Sequence, residues 1–402
     1  MANSLLTIDM ITRKSLEILE NNLVISRNVN KEYDESYAVE GAKIGSTLRI
    51  RLPDRALVTD GAALQVQDDN EQYTTLTVSS QKHIGINFTS AELTMQLDDF
   101  AERVLKPRIS QLASSVDNDV ANAYKNIYSS VGTPGTVPAT SLVLLQAGQK
   151  LNEYATPLNP RYATVNPAAN AGLVEGMKGF FNPTGTISSQ FKSGMMGANV
   201  LGYDEVNMSQ SIVSHTTGNF PAAPIVATTV ATQGQATLDI SFTSGTKTLK
   251  QGDVFTIGSV YAVNPQTRQS TGSLQQFVVT ADNSVTSGTT MTVAISPAIY
   301  TATNALATVD SFPASSAVLT FLGSASTVYP QNLVYHKNAI TLATADLLLP
   351  QGVDMASRQV HNGISMRIVR QYDINNDRMP CRVDVLYGYS TIRAPMACRI
   401  WG

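Results

Sequence analysis

The sequence predicts an α+β fold that combines one long helix, two long β-hairpins and a separate all-β region. Three observations lead to this prediction. Apolar residues recur at steps of three and four between residues 109 and 127, while Leu48 and Ile50 alternate with arginines. Helical periodicity disappears between residues 220 and 330. The length of 402 residues exceeds one ordinary core, so we expect two or three compact units.

The longest helical signal runs from Thr89 to about Tyr128, and we call it the spine helix. Thr89 and Glu92 form a capping-box pattern, and Pro107 fits the first turn of a second helical segment. The predicted buried stripe consists of Ile109, Leu112, Val116, Val120, Ala123 and Ile127. The opposite face, expected to contact solvent or another subunit, carries Lys106, Arg108, Gln111, Asp117, Asn118, Asp119 and Lys125.

Two segments precede the spine helix. Residues 5–22 predict a short amphipathic helix, and the polar sequence from 28 to 40 follows it. This N-terminal segment is either an arm that reaches a neighbouring subunit or a helix packed on its own domain, and composition leaves both open. Residues 47–51 and 73–86 predict the two strands of an extended hairpin. The long segment that joins them is charged and has few apolar residues at its tip.

After the spine helix, residues 132–138 contain Gly and Pro and mark a boundary. A helix is predicted from Ser141, a strand at Arg161–Val165, a helix at Ala168–Met177 and a strand at Val200–Met208. Alternating helices and strands indicate a compact α/β unit.

Residues 220–330 contain only seven charged residues and are rich in Thr, Ser, Val, Ala and Gly. Short strand-like runs are separated by turn signals at 243–245, 251–253 and 286–288, which predicts a small all-β barrel or sandwich. We expect an insertion within the α/β unit, because a sequence pattern typical of α/β structure returns at Val334. Residues 364–368 and 383–389 then predict a second long hairpin, turning at 375–377.

No constellation for catalysis, metal binding or cofactor binding is apparent. The four histidines, His83, His215, His336 and His361, lack the spacing of a helical metal site. Asp117 and Asp119 point to different sides of a helix, so they do not form an acid/base pair. The sequence contains no phosphate-binding loop or nucleophile elbow. We therefore expect no enzyme.

Bulk properties exclude other classes. The net charge of −3 argues against a protein whose main task is to neutralise nucleic-acid phosphates. No run of 18 apolar residues predicts a membrane span, and the first 15 residues are a poor secretion signal. Cys381 and Cys398 lie in strand-like sequence, and free buried thiols are favoured over a disulfide.

The order of these elements resembles the HK97-like major capsid proteins of tailed bacteriophages, in the podovirus coat branch that has an inserted β-barrel. Three segments carry the resemblance: Phe88–Leu93 with Ser115–Val120, Leu249–Ile257 with Val260–Pro265, and Tyr335–Ala339.

The resemblance implies a domain organisation for the whole chain. It consists of an N-terminal arm (1–46), an extended loop (47–88), a spine helix and peripheral domain (89–138 with 332–402), an axial domain (139–219 with part of 332–402) and an inserted β domain (220–330).

The resemblance also implies function and partners. Copies of the chain would form pentamers and hexamers of an icosahedral shell, which assembles in the host bacterial cytoplasm as a procapsid and then expands around double-stranded DNA. Scaffolding and portal proteins, nonspecifically contacted DNA and a decoration protein are the implied partners, with no membrane and no cofactor.

Charged residues of the extended loop are the candidate contacts between subunits. They are Arg49, Arg51, Asp54, Arg55, Asp60, Asp68, Asp69 and Glu71. The alternative is that these charges only keep an exposed hairpin soluble. Two other functions stay open: another phage structural protein, such as a tail, decoration or adhesin subunit, and an α/β enzyme.

Overall fold

The computed structural model describes residues 8–31, 47–59, 61–62, 64, 66, 72–88, 104–177, 193–194, 196–375 and 379–402. The predicted capping box at Thr89 and Glu92 lies outside these residues. The chain divides into two compact units, of which the first comprises the described parts of Met1–Ile50, Thr74–Val120 and Ile340–Ile392. The second comprises those of Arg51–Tyr73, Ala121–Ala339 and Arg393–Gly402.

The helices are α1 (Ile8–Asn22), α2 (Ile25–Asn28), α3 (Lys106–Ala121), α4 (Ser141–Glu153) and α5 (Pro167–Gly176). Short 3-10 helices lie at Asn122–Asn126, Lys337–Ala339 and Ala394–Met396. The strands are β1 (Thr47–Arg51), β2 (Tyr73–Thr77), β3 (Ser80–Phe88), β4 (Ser130–Val131), β5 (Arg161–Val165), β6 (Gly197–Val200), β7 (Tyr203–Met208), β8 (Ser214–Thr216), β9 (Ile225–Val226), β10 (Gln235–Leu249), β11 (Val254–Val263), β12 (Ser270–Val279), β13 (Asn283–Ile299), β14 (Leu319–Phe321), β15 (Val328–His336), β16 (Ile340–Thr344), β17 (Met355–His361), β18 (Ile364–Arg370), β19 (Met379–Thr391) and β20 (Ala397–Trp401).

The first unit is a layer of helices on an antiparallel sheet. The sheet has the order β16-β19-β18-β17, and β3 pairs with the other edge of β19. Helix α1 packs along β17 and β18 and buries Leu16 and Leu19. Of the two alternatives for the N-terminal segment, the structure places its described helix on the sheet of its own unit.

The described part of the spine helix is α3, and every residue of its predicted apolar stripe is buried. The helix ends at Ala121 and continues as a 3-10 helix instead of running to residue 128. The expectation of a solvated polar face is wrong at Asp117, which is buried. Its carboxylate accepts hydrogen bonds from the backbone N–H groups of Val24 (2.6 Å) and Ser26 (2.9 Å). This helix position therefore fixes the start of α2.

The extended hairpin pairs β1 with β2, as predicted, but the strand predicted over 73–86 is broken at Val78 and Ser79. β3 leaves the hairpin and pairs with β19. The crossing requires Gly388, because a Cβ at this position would overlap the carbonyl oxygen of Thr77.

The second unit contains a seven-stranded sheet in the order β4-β20-β15-β5-β7-β6, with β8 on β15. Its core combines residues of α4 and α5, such as Leu144, Leu151 and Leu173, with Val165 and Ile400 on the sheet. The predicted single strand at Val200–Met208 is instead the hairpin β6–β7.

The inserted region is a six-stranded antiparallel barrel in the order β14-β11-β12-β13-β10-β9. A bridge between Ile225 and Val318 joins the two ends of this order. Phe255, Phe277 and Val293 lie in its core. Two predicted turns are wrong, because Gly245 and Gly288 lie opposite each other inside the long strands β10 and β13, where the register shifts.

The barrel enters and leaves the second unit through two adjacent backbone segments. Thr217 N–H donates to the carbonyl of Thr327 (3.0 Å), and Ser326 N–H donates to that of Gly218 (2.9 Å). The predicted insertion is thus closed at its base by hydrogen bonds between its own two ends.

Candidate subunit interface and barrel joint

The extended loop presents the candidate charged residues that the structure describes. Arg49 and Arg51 on β1 are exposed, as is Asp54, and Arg55 is half-buried. Asp60, Asp68, Asp69 and Glu71 lie outside the described residues. Arg49, Arg51, Asp54 and Arg55, the four candidates that the structure describes, form no reactive cluster with one another.

The same loop exposes apolar side chains, which the sequence reading did not emphasise. Val58 is 82%, Leu64 89% and Val66 85% exposed. Large aliphatic groups that are this exposed and this close in sequence are typical of surfaces that another molecule covers. Burying one of them fully stabilises a complex by roughly 1.5–3 kcal/mol relative to leaving it in water.

No group of three His, Cys, Asp or Glu side chains in the described part of the chain is arranged to hold a metal ion. The buried ring of His336 lies 3.3 Å from the carbonyl of Asn159 and accepts from the N–H of Asn338 at Nδ1 (3.2 Å). Burial lowers the pKa of His336, and the hydrogen bond to Asn159 counteracts this only in part. His336 is a structural residue.

A buried polar cluster, which we call the barrel joint, connects the inserted barrel with the α/β sheet. It comprises Tyr124, His215, Asp253, Arg399 and Trp401, each at most 2% exposed. Asp253 lies in the turn between β10 and β11, whereas Arg399 and Trp401 lie on β20.

Asp253 is the central acceptor of the barrel joint. Its carboxylate lies 2.8 Å from His215 Nε2 and accepts from the N–H groups of Lys250 (2.6 Å) and Gly218 (3.2 Å). A carboxylate that only accepts requires the proton on Nε2 of His215. In the neutral ring, Nδ1 of His215 then accepts from the hydroxyl of Tyr124, 3.1 Å away.

Arg399 supplies the positive charge of the joint. Its Nη1 donates to the carbonyl of Gly252 (2.9 Å), and its guanidinium lies 5.6 Å from the Tyr124 ring centre and 5.5 Å from that of Trp401. Burial lowers the pKa of Arg399 to about 10, although Tyr124 and Asp253 act in the opposite direction. The aromatic rings and the Asp253 charge offset only part of the lost hydration of this cation, because desolvation still lowers its pKa and its Nε and Nη2 atoms have no hydrogen-bond partner among the described residues.

The series Asp253–His215–Tyr124 has the connectivity of a catalytic triad. Nucleophilic use of Tyr124 is ruled out by two observations. Its side chain is 2% exposed, and burial raises the pKa of its hydroxyl to about 12. The arrangement positions the barrel turn and does not activate a nucleophile.

The sequence reading listed His215 and Asp253 without connecting them and did not single out Tyr124 or Arg399. One signal in the sequence could have pointed to Asp253 as a functional residue. It is one of only seven charged residues in the inserted region, and it lies between Gly252 and a largely apolar segment. Of the partners of Asp253, only Lys250 is near in sequence, whereas Gly218 and His215 are 35 and 38 residues away, so no local pattern reveals them.

The family model of the P22 coat protein (gene protein 5) matches residues 1–400 of this chain. The chain belongs to the P22 coat protein family. It is therefore a major capsid protein that forms a phage shell, and its structure contains the inserted barrel that the sequence predicted. No curated protein matches the sequence significantly.

Solved structures similar to this coat protein include one from Mycobacterium phage Che8, with 10% identity over 94% of this chain and 90% of that chain (TM-score 0.48). The mature capsid of bacteriophage PhiM1 is 12% identical over 88% of this chain and 81% of that chain (TM-score 0.38). The CUS-3 coat protein I-domain is 28% identical, covering 25% of this chain and 95% of that domain (TM-score 0.19).

One further prediction of the sequence has an outcome in this coat protein, and it concerns the two cysteines. Cys381 and Cys398 are both free and buried, as expected, and burial raises the pKa of each thiol to about 12. Within the described residues, no helix combines the length and apolar character that crossing a membrane requires.

Proposed function

We propose that this coat protein builds an icosahedral shell of pentamers and hexamers, in which the extended loop of each copy lies on a neighbouring copy. The observation that carries the proposal is the combined exposure of Val58, Leu64 and Val66 on a loop that also carries the candidate charges. Obligate interfaces bury roughly 2,000–5,000 Å², and an extended loop reaches such an area without a large globular contact.

The domain organisation expected from the sequence belongs to this proposal. Residues 47–88 act as the extended loop, 89–138 with 332–402 as the peripheral domain, and 139–219 as the axial domain around the symmetry axes. Residues 1–46 act as the arm and 220–330 as the inserted domain, which the barrel joint holds in place.

The proposed assembly route has a rounded procapsid formed in the host cytoplasm with scaffolding and portal proteins, followed by expansion around double-stranded DNA. DNA contacts are nonspecific and salt-sensitive, in keeping with a net charge of −3. A decoration protein is an optional partner. The function is structural and requires no reactive group, since the shell depends on complementary surfaces.

Charge reversal on the extended loop tests the proposal. Arg51→Asp and Arg55→Asp should abolish shell assembly, because the introduced carboxylate places a like charge against a surface that now receives an arginine. Arg51 is exposed, so the Arg51→Asp monomer should keep its stability within about 0.5 kcal/mol. Assembly is measured by light scattering and electron microscopy, and monomer stability by urea unfolding.

Arg13→Asp is the matched control, since Arg13 is an exposed arginine on α1 and the charge change is identical. This variant should assemble normally. Normal shells from both loop variants would show that the loop charges only provide solubility.

A further inference from the structure

The outer edge of β3 lacks a paired strand in the described part of the first unit. β3 has nine residues and pairs with β19 on one side. Among the described residues, no strand pairs with its other side. Long unpaired edges are ready templates for another strand, and soluble proteins usually shorten, bend or cover them.

Two hydrogen bonds identify which backbone groups face outward. Leu386 accepts from Ala345 N–H on the far side of β19, so the β19 residues that face β3 are the odd-numbered ones, such as Val383 and Val385. These pair with Ile84 and Lys82.

The outward groups of β3 therefore belong to Gln81, His83, Gly85 and Asn87. A contact of Arg108 on α3 agrees with this assignment of the odd-numbered residues to the outer edge. Its Nη1 donates to the carbonyl of Gly85 (3.2 Å) from outside the sheet.

The surroundings of this edge are cationic. Arg108 and Lys106 are both exposed at the start of α3. Lys82 is the exception, since its ammonium group pairs with Asp119 at 2.7 Å. An incoming strand with acidic residues would gain both backbone hydrogen bonds and charge attraction.

A cavity of 370 Å³ opens beside the edge, between β3 and α3. Its lining includes Ile84 and Leu112, together with polar residues of both elements. A cavity of this size receives a side chain from a strand added to β3. On the opposite face of β3 from Ile84, a Cβ at Gly85 would meet no atom within 4 Å.

We propose that the outer edge of β3 accepts the extended loop of a second copy of this chain as an added β-strand. The loop segment 52–72 carries five acidic residues and one arginine, a charge opposite to that of the edge. Its exposed Leu64 and Val66, two residues apart, lie on one face of an extended strand, as entry into the cavity requires. This inference rests on the proposed function and names the surface that the loop contacts.

Proline at Gly85 tests the edge. Gly85→Pro removes an outward N–H group while leaving the pairing with β19 unchanged, and proline is tolerated on an edge strand whose N–H faces solvent. Gly85→Ala is the matched control, because it adds a Cβ to the same open space and retains the N–H. Both monomers should unfold at the wild-type urea concentration.

Shell yield is then measured by sedimentation. Gly85→Ala should assemble like wild type, whereas Gly85→Pro should lose at least tenfold in yield. Equal yields from the two variants would overturn the edge inference and leave the proposed function intact. Failure of the wild-type protein to form shells would instead refute the proposed function.

Disulfide trapping identifies the occupant. His83→Cys combined with Val66→Cys should produce covalent links between copies in oxidised shells, since the two native cysteines are buried. Links that form only when His83→Cys is combined with Ser36→Cys would assign the edge to the N-terminal arm and overturn the assignment to the loop.

Discussion

The extended loop and the barrel joint both contain arginine and aspartate residues, but their environments are opposite. On the loop, Arg51 and Asp54 are exposed, and neighbouring aliphatic side chains are more than 80% exposed. In the joint, Asp253 and Arg399 are 0% exposed and lie among aromatic rings. The same residue types therefore occur in two settings. On the loop they are exposed, and we propose that they contact other copies; in the joint they are buried and connect parts of one copy.

This difference predicts where each change has its effect. A loop substitution leaves the folded chain intact and alters assembly, because solvent already hydrates the loop charges. A joint substitution alters folding, because a buried charge that loses its partner has no water to replace it. Comparing monomer stability with shell yield for each variant separates the two classes.

Removal of the central carboxylate should have the largest effect. Asp253→Ala leaves His215, Lys250 and Gly218 without their acceptor and Arg399 without the nearby negative charge. We expect a loss of about 3–5 kcal/mol in the free energy of unfolding. Trp401 is the single tryptophan of the chain and lies in the joint, so its fluorescence during urea unfolding reports this loss.

Asp239→Ala is the control within the same barrel. Asp239 is exposed and accepts from the hydroxyl of Thr292 at 2.6 Å. Its removal should change stability by about 0.5 kcal/mol. If the two aspartate variants lose equal stability, the joint has no special role.

Tyr124→Phe should have an intermediate effect. The substitution removes the hydroxyl that donates to His215 but retains the ring beneath Arg399. The expected loss is about 1 kcal/mol, the usual net contribution of one hydrogen bond, in the same urea experiment. A loss as large as that of Asp253→Ala would mean that the ring itself is displaced.

A partly exposed contact at the end of α1 should have the smallest effect on the free energy of unfolding. Glu20 at the end of α1 lies 2.6 Å from Nδ1 of His361 and accepts from the amide of Asn362. Burial alone raises the pKa of Glu20, but these hydrogen bonds and the charge of His361 outweigh it and lower the pKa. Glu20→Gln should therefore cost about 0.5 kcal/mol at pH 7.

The pH dependence of this contact has a defined sign. A carboxyl whose pKa is lowered by folding contributes stability above its unfolded pKa, near 4.5, and loses it as the pH falls through the folded value. The difference between wild type and Glu20→Gln should shrink when urea unfolding is repeated below pH 4.5. A difference that grows in acid would contradict the contact.

Patterns in the sequence predicted those helices that are determined by residues close together in the chain. The stripe of α3 is buried as its spacing implied, and α5 begins at Pro167 after Asn166, whose side chain accepts from Ala169 N–H. Composition and turn signals predicted an inserted all-β barrel or sandwich, and the family resemblance favoured the barrel. These parts required no knowledge of distant contacts.

Long-range contacts explain the errors. Asp117 has the sequence position of a solvated helix residue, but the backbone of α2, 91 residues away, covers it. Gly245 and Gly288 are ordinary turn signals in sequence, yet each faces the other across paired strands, where their backbone freedom permits the shift in register. The barrel joint likewise depends on residues from four distant segments, so periodicity carries no information about it.

The hydrogen-bonded closure between Thr217 and Thr327 has a practical consequence. The two chain ends of the barrel lie side by side where they join the second unit. The rest of this unit therefore requires only that the inserted polypeptide begin and end at adjacent points. A foreign domain with adjacent termini would satisfy that gap, provided that Arg399 is changed to a neutral residue when Asp253 is lost. The position is thus a natural graft point for displaying antigens or enzymes on an engineered particle.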